Sequence, residues 1–221
     1  YYNDAGVQMK NLGLSLQARY RQALGEDVPF PEDGYQGDYM KEIAQMLVAE
    51  KGDSLKSTQE TQAFTQFAAD HIIKLIDADM RALGIYFDNW FSEASLHKNG
   101  KVDRALDRLA QQGMLYEKDG ATWLRSEQFG DEKDRVVIKS DGEKTYIMPD
   151  IAYHQDKFER GYDILINVLG GDHHGYVPRL KAGVQALGFD AARLHCIVFQ
   201  MVTLLKDGEQ IKLSTRAGKF I

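Results

Sequence analysis

Apolar residues recur at helical spacing through the first half of the chain and at strand-like spacing through its last third. After the turn-like Asn3-Asp4-Ala5-Gly6, residues Val7, Leu12, Leu16 and Tyr20 fall near one helical face and predict a helix to about Leu24. Gly25 to Gly37 gathers Pro29, Pro31, Asp33 and Gly34, a loop composition, and Tyr39, Ile43, Met46 and Leu47 mark a second, short helix. The most regular rhythm runs from about Thr58 to Leu83, where Phe64, Phe67, His71, Leu75 and Ala78 share a face and Gly84 ends the helix. A strand is expected at Ile85-Tyr86-Phe87 and a helix from Lys101 to Gln112. Tyr116 and Ala121 to Leu124 flank Lys118-Asp119-Gly120, a hairpin signal.

From Arg135 the pattern changes. It predicts a strand at Val136-Val137-Ile138, a turn at Ser140-Asp141-Gly142, a strand at Thr145-Tyr146-Ile147, a helix after Pro149, an apolar strand from Ile164 to Leu169 and a helix from about Val177 to Leu187. This alternation is that of an α/β fold, with a parallel sheet covered on both faces and ligands gathered at the C-terminal edge of its strands.

Composition narrows the function classes. The balance of 27 Lys+Arg against 33 Asp+Glu gives −6, so the body carries no field that gathers nucleic acid, and any RNA contact has to be local; DNA is not expected as a partner. No segment approaches the ~20 apolar residues of a membrane span. The single Cys196 lies in the apolar run Leu194 to Phe199 and reads as a small buried thiol, consistent with a reducing cytoplasm. The opening Tyr1-Tyr2-Asn3-Asp4 has no initiator Met and no signal-peptide pattern, so the chain is expected to begin inside a longer protein.

Three clusters carry candidate chemistry. Tyr146-Ile147-Met148-Pro149-Asp150 places a phenol and a carboxylate about a turn that enters a helix; Asp150 suits either a cationic substrate group or a helix cap, and the local sequence favours the cap. Gly170-Gly171-Asp172-His173-His174-Gly175-Tyr176 joins the apolar strand to the next helix. There the paired glycines admit a ligand to the backbone, and Asp172 suits ribose hydroxyls. Asp-His-His also resembles part of a manganese phosphoesterase signature, but the only Asp-X-Asp, Asp77-Ala78-Asp79, falls inside the long helix. Lys212-Leu213-Ser214-Thr215-Arg216-Ala217-Gly218-Lys219, after the turn Lys206 to Glu209, suits a triphosphate or plain solvated surface.

Taken in order and with their spacing, these clusters resemble the class I aminoacyl-tRNA synthetases, and within them the arginyl enzymes. The likeness runs from Tyr2-Asn3-Asp4-Ala5-Gly6 through Asp88-Asn89-Trp90-Phe91-Ser92-Glu93, the Gly130 to Lys139 stretch and Gly171 to Arg179, to Phe199-Gln200-Met201-Val202 and Lys212 to Phe220. It implies a Rossmann-like parallel-sheet catalytic domain, with 1–37 and 116–221 as its parts and 38–115 as a mostly helical insertion. It also implies that arginine and ATP, with Mg2+, form arginyl-adenylate and that the arginyl group passes to tRNA(Arg). On matched positions Tyr146, Asp150 and His173 are expected at arginine. Gly171, Asp172, His174, Gln200, Met201 and Val202 are expected at ATP, and Lys212, Ser214 and Arg216 in the phosphate loop, with no structural metal site. Two departures from the family pattern stand out. The signature loop has Thr215 where a second lysine is usual, and His-X-Gly-His occurs nowhere in the 221 residues. A noncatalytic nucleotide-binding paralogue and a metal-dependent phosphoesterase are the rival readings.

Overall fold

In the computed structural model, residues 1–200, 202–211 and 214 are described, and they gather into two compact units, 1–92 with the segment from Thr203, and 93–202.

The first unit is helical because three amphipathic segments bury their apolar faces on one another. Helix α1 (Val7–Ala23) contributes Leu12, Leu16 and Tyr20, α2 (Tyr39–Lys51) contributes Met40, Ile43, Ala44 and Leu47, and α3 (Gln62–Ala82) contributes Phe64 and Ala68 to a single core. The α1–α3 approach is close: a Cβ at Gly13 would lie 2.0 Å from Thr65 Oγ1. Tyr20 is fully buried and donates its hydroxyl hydrogen to the Gly52 carbonyl at 2.7 Å, so the phenol is satisfied inside the core. Because α1 shares this core with α2 and α3, packing is continuous across residues 37 and 38.

Two expectations are corrected here. Helix α3 starts at Gln62 rather than Thr58, and its second half leaves the core: Leu75 and Ile76 are exposed, since α3, at 21 residues, outruns partners of 17 and 13. The strand expected at Ile85-Tyr86-Phe87 does not form. Gly84 ends α3 with φ +76°, the three residues are exposed, and none of them pairs with a strand among the described residues. Their side chains are held locally instead, Tyr86 beneath the Arg81 guanidinium and Phe87 edge-on to Trp90. The turn expected after Lys206 is present as a short hairpin, Leu205–Lys206 with Glu209–Gln210, turned through Asp207 and Gly208, both at positive φ.

The second unit combines α4 (Glu93–Lys98) and α5 (Lys101–Gln111) with two sheets. Strands β1 (Leu115–Lys118) and β2 (Ala121–Leu124) form the expected hairpin, with Asp119 at φ 53° and Gly120 at φ 74°, the primed turn that matches strand twist. Strand β3 (Arg135–Ile138) pairs antiparallel with β2, so it belongs to this small antiparallel sheet rather than to the parallel one. Helix α6 (Ile147–Glu159) follows, then β4 (Leu165–Gly170), α7 (Val177–Ala186) and β5 (Leu194–Phe199). Strands β4 and β5 run parallel in the register Leu165 with Leu194 through Gly170 with Phe199. Phe158, Leu165, Leu180, Val184, Ala191 and Leu194 close the core between sheet and helices.

The strand expected at Thr145-Tyr146-Ile147 is replaced by one bridge, Ile138 with Lys144, and the helix begins at Ile147, before Pro149 rather than after it. Proline is tolerated there because the first turn of a helix has no intrahelical partner for its missing N–H. The parallel sheet is covered on one face, where Leu165 and Leu194 are buried. On the other face Ile166, Val168, Ile197 and Phe199 are exposed, contrary to the expected double cover. Cys196 is half-buried rather than buried, and burial pushes its thiol pKa up.

Candidate functional site

Tyr146, Asp150 and His154 follow one another at a spacing of four, which stacks them along one face of α6 and its entry. Asp150 does not cap the helix: it sits inside the first turn, and no side chain caps this terminus. Its carboxylate instead accepts a hydrogen bond from the Tyr176 hydroxyl, which arrives from the entry to α7. The Tyr146 and Tyr176 rings lie 6.0 Å apart. The Arg179 guanidinium sits 5.4 Å from the Tyr176 ring and donates to the Tyr146 hydroxyl. Tyr176 thus has a cation on its face and a carboxylate at its tip. What sets these elements so close is Gly183 on α7, where a Cβ would meet the Ile151 side chain at 2.7 Å.

Burial raises the Asp150 pKa against the lowering effect of the Tyr176 hydrogen bond; Glu93 adds to the rise, and Lys157 and His173 oppose it. Tyr176 is itself driven far upward by burial and by Asp150, so it remains a donor. A half-buried carboxylate with one phenolic donor is an under-neutralised anion, and it is suited to a cation that brings several N–H donors.

Behind Asp150 the hydrogen bonds form a chain. His154, 3% exposed, makes an Nδ1 contact with the Asp150 carbonyl at 2.7 Å and an Nε2 contact with Asn167 Nδ2 at 2.8 Å; the Asn167 Oδ1 accepts from Lys157 Nζ at 2.7 Å. The carbonyl fixes Nδ1 as the His154 donor, so Nε2 accepts from the Asn167 amide and the ring is neutral. Burial, aided by the Lys157 charge, lowers the His154 pKa to about 4, and burial lowers that of Lys157 to about 8. The chain ties the first turn of α6 to the middle of β4.

At the C-terminal edge of the parallel sheet, Gly170 and Phe199 are register partners, so the segments that follow them, beginning at Gly171 and Gln200, leave the sheet at the same end. Gly171 to Tyr176 forms a 3-10 turn in which Asp172, His173 and His174 are exposed and Asp172 accepts from His173 Nδ1 at 3.0 Å. Gln200 and Val202 are also exposed. Among the described residues, no group of three or more His, Cys, Asp or Glu is arranged to hold a metal ion.

The sequence and the fold match those of known proteins. Residues 38–221 match the family described as tRNA synthetases class I (R), catalytic domain. The chain belongs to that family. It is 50% identical over 224 residues to an arginine–tRNA ligase of Bacillus licheniformis and 52% identical over 225 residues to one of Shouchella clausii, in each case along 100% of the chain and 40% of the relative. The chain therefore spans about two fifths of the length of these curated relatives. The crystal structure described as an arginyl tRNA synthetase of Campylobacter jejuni superposes with a TM-score of 0.85 at 41% identity, covering 96% of this chain and 47% of that one. The Thermus thermophilus arginyl-tRNA synthetase shares the fold, with a TM-score of 0.59 at 17% identity.

Against this family background, the structure gathers Tyr146 and Asp150 into one cluster and sets Asp172, His173 and His174 in the turn beside it. Ser214 is described only as an isolated bridge residue, whereas Met201, Lys212, Thr215, Arg216 and Lys219 lie outside the described residues. Sequence reasoning quoted Tyr176 and Arg179 within a matched stretch without giving them a role, and it passed over His154, Lys157 and Asn167. The i, i+4 step from Asp150 to His154 was the available signal. Asn167 gave none, because it lies inside an otherwise apolar strand run.

Proposed function

We propose that the chain supplies the arginine- and adenylate-binding portion of an arginine–tRNA ligase, which joins arginine to ATP as arginyl-adenylate and passes the arginyl group to tRNA(Arg) in the cytoplasm. Residues 1–37 and 116–221 are its share of the nucleotide-binding domain, and 38–115 is the helical insertion. The observation that carries this reading is Asp150: a half-buried carboxylate, raised in pKa by burial, that accepts from one phenol and has Tyr146 close by. A guanidinium answers such a group with parallel charge-assisted hydrogen bonds. Asp172 and His173 then meet ribose and substrate, Gly171, His174, Gln200, Met201 and Val202 border the nucleotide, and Lys212, Ser214 and Arg216 face the triphosphate with its Mg2+. That Gly171 and Gln200 leave the same sheet edge supports one shared nucleotide site.

Calorimetry with arginine and with citrulline, whose ureido group has the same shape but no charge, tests the reading. Arginine binds and citrulline does not; equal binding of both would remove the charged contact to Asp150. Since the 221 residues contain no His-X-Gly-His, arginine-dependent pyrophosphate exchange by this chain alone is expected to be absent, and turnover near the ordinary ~1–10³ s⁻¹ range would overturn that expectation.

A further inference from the structure

Tyr146 stands four residues before Asp150, at the entry to α6 and on the face that carries the carboxylate, yet it is 66% exposed. A phenol so open to solvent spreads over several rotamers unless something outside its own helix holds it, and immobilising it on meeting a ligand then costs affinity. The contacts that hold it come from α7 and its entry: the Arg179 guanidinium donates to the Tyr146 hydroxyl, and the Tyr176 ring lies 6.0 Å away, tilted by 37°. Arg179 is itself well anchored. It sits in the first turn of α7, a helix set close to α6 by Gly183, where a Cβ would meet the Ile151 side chain at 2.7 Å. Its Nε is shielded from solvent, and its guanidinium lies 5.4 Å from the ring of Tyr176, whose hydroxyl donates to Asp150. Asp150, Tyr176, Arg179 and Tyr146 therefore form a closed circuit that returns to Asp150 along one turn of α6. Arg135, the other guanidinium lining the cleft that Tyr146 borders, is not free to replace Arg179, because its Nε and Nη2 donate to Asp131 at 2.8 and 2.6 Å. The direction of the Arg179 bond matters as well. A guanidinium only donates, so the Tyr146 oxygen accepts from it and keeps one lone pair and its own hydrogen for a ligand.

We propose that Arg179 is a positioning residue for arginine: it holds the Tyr146 hydroxyl so that this oxygen and the Asp150 carboxylate meet one incoming guanidinium together. The proposal rests on the reading of Tyr146 and Asp150 as the arginine pocket. The charge of Arg179 opposes that of the ligand, so its contribution to binding comes through the tyrosine it holds and not through direct attraction. Arginine-site geometry is thus set from α7 as well as from α6, and the two helices have to be correctly apposed before the pocket is complete.

The test is a double-mutant cycle read by calorimetry of the 221-residue chain with arginine, on wild type, Arg179→Met, Tyr146→Phe and the two changes combined. Arg179→Met is expected to weaken arginine binding about 5- to 10-fold, the range of one lost hydrogen bond, and Tyr146→Phe by a similar factor. The combined variant should bind no more weakly than the weaker-binding single variant, because without the Tyr146 hydroxyl Arg179 has nothing to hold. A merely structural role for Arg179 would instead multiply the two losses, and a combined loss of about 25-fold or more overturns the proposal. Tighter arginine binding by Arg179→Met also overturns it, since the guanidinium would then act only by repelling the ligand. Circular dichroism checks each variant's fold. Should Arg179→Met not fold, Arg179→Lys carries the same cycle: it keeps the charge and a donor but not the planar fork, and its loss of about 3-fold should vanish in the Tyr146→Phe background. Asp150→Asn keeps the two readings apart. If it weakens arginine binding while Arg179→Met leaves binding unchanged, the positioning proposal fails and the pocket reading stands; if wild type binds no arginine, the pocket reading fails and the proposal with it.

Discussion

The first turn of α6 and the turn from Gly171 to Tyr176 each present a carboxylate beside histidine and tyrosine, yet physically they differ. Asp150 is half-buried, bonded to Tyr176 and backed by the His154–Asn167–Lys157 chain, whereas Asp172 is exposed and accepts from the adjacent His173. Burial removes the water that would otherwise screen Asp150, so its charge state, its partners and its ligand are strongly coupled. Asp172 is solvated and adds little to the fold; on the proposed reading its value is to a ligand. A charged residue on a rigid, packed helix turn and one on an open turn thus ask different things of a substrate. On the proposed reading the first selects it by charge, and the second orients it.

The largest effect expected to test this contrast is acid sensitivity at His154. The unfolded chain protonates this ring near its ordinary 6.5, while the folded protein keeps it neutral down to about 4. As pH falls through that window the unfolded state takes up the extra proton, so stability present above about 6.5 is lost by roughly 3 kcal/mol by about pH 4. Denaturant unfolding of wild type and His154→Gln at pH 7 and pH 4.5 should show the gap between them shrinking by most of that amount. A constant gap would mean that the ring is charged inside the fold.

Next comes Asp150→Asn. Arginine affinity should fall about 10- to 100-fold, because hydrogen bonds to charged groups carry roughly 1.5–3 kcal/mol. Since burial raises the Asp150 pKa, its ionised form costs folding stability as pH rises through that pKa, and the amide removes the cost. The melting temperature at pH 7 should therefore hold or rise while calorimetry shows weaker arginine binding. A drop in melting temperature with unchanged affinity would make Asp150 a structural residue.

A smaller change is expected from Tyr176→Phe, which deletes the donor to Asp150 at a cost of about 1–2 kcal/mol in stability. Without that donor the carboxylate pKa rises further, so the acid limb of the arginine-binding profile should move to higher pH; an unmoved limb would separate Tyr176 from Asp150. The smallest effect is that of Asp172→Asn, for which stability should change by no more than about 0.5 kcal/mol, as at other exposed positions. Its nucleotide affinity, measured separately, should weaken. A large loss of stability there would erase the contrast between the two turns.

Several elements were legible in the sequence because their causes are local. The three helices of the first unit follow from apolar periodicity, and the hairpin at Asp119-Gly120 follows from residues that accept positive φ. Where the sequence misled, a partner was missing or unforeseen. Ile85-Tyr86-Phe87 has strand composition, but no neighbouring strand pairs with it among the described residues. Thr145 to Ile147 was drawn into one bridge and a helix start, and β3 joined the antiparallel sheet instead of the parallel one.

The sequence by itself determined the family, the order of the chemical clusters and most helix positions, since these depend on residue identity and on spacing along one chain. Only the tertiary structure decided that Asp150 is a half-buried acceptor rather than a helix cap, and that Tyr176 and Arg179 complete its surroundings. Those facts depend on which helix faces turn toward each other, and that is set by close approaches such as Gly183 against Ile151, between residues more than thirty positions apart.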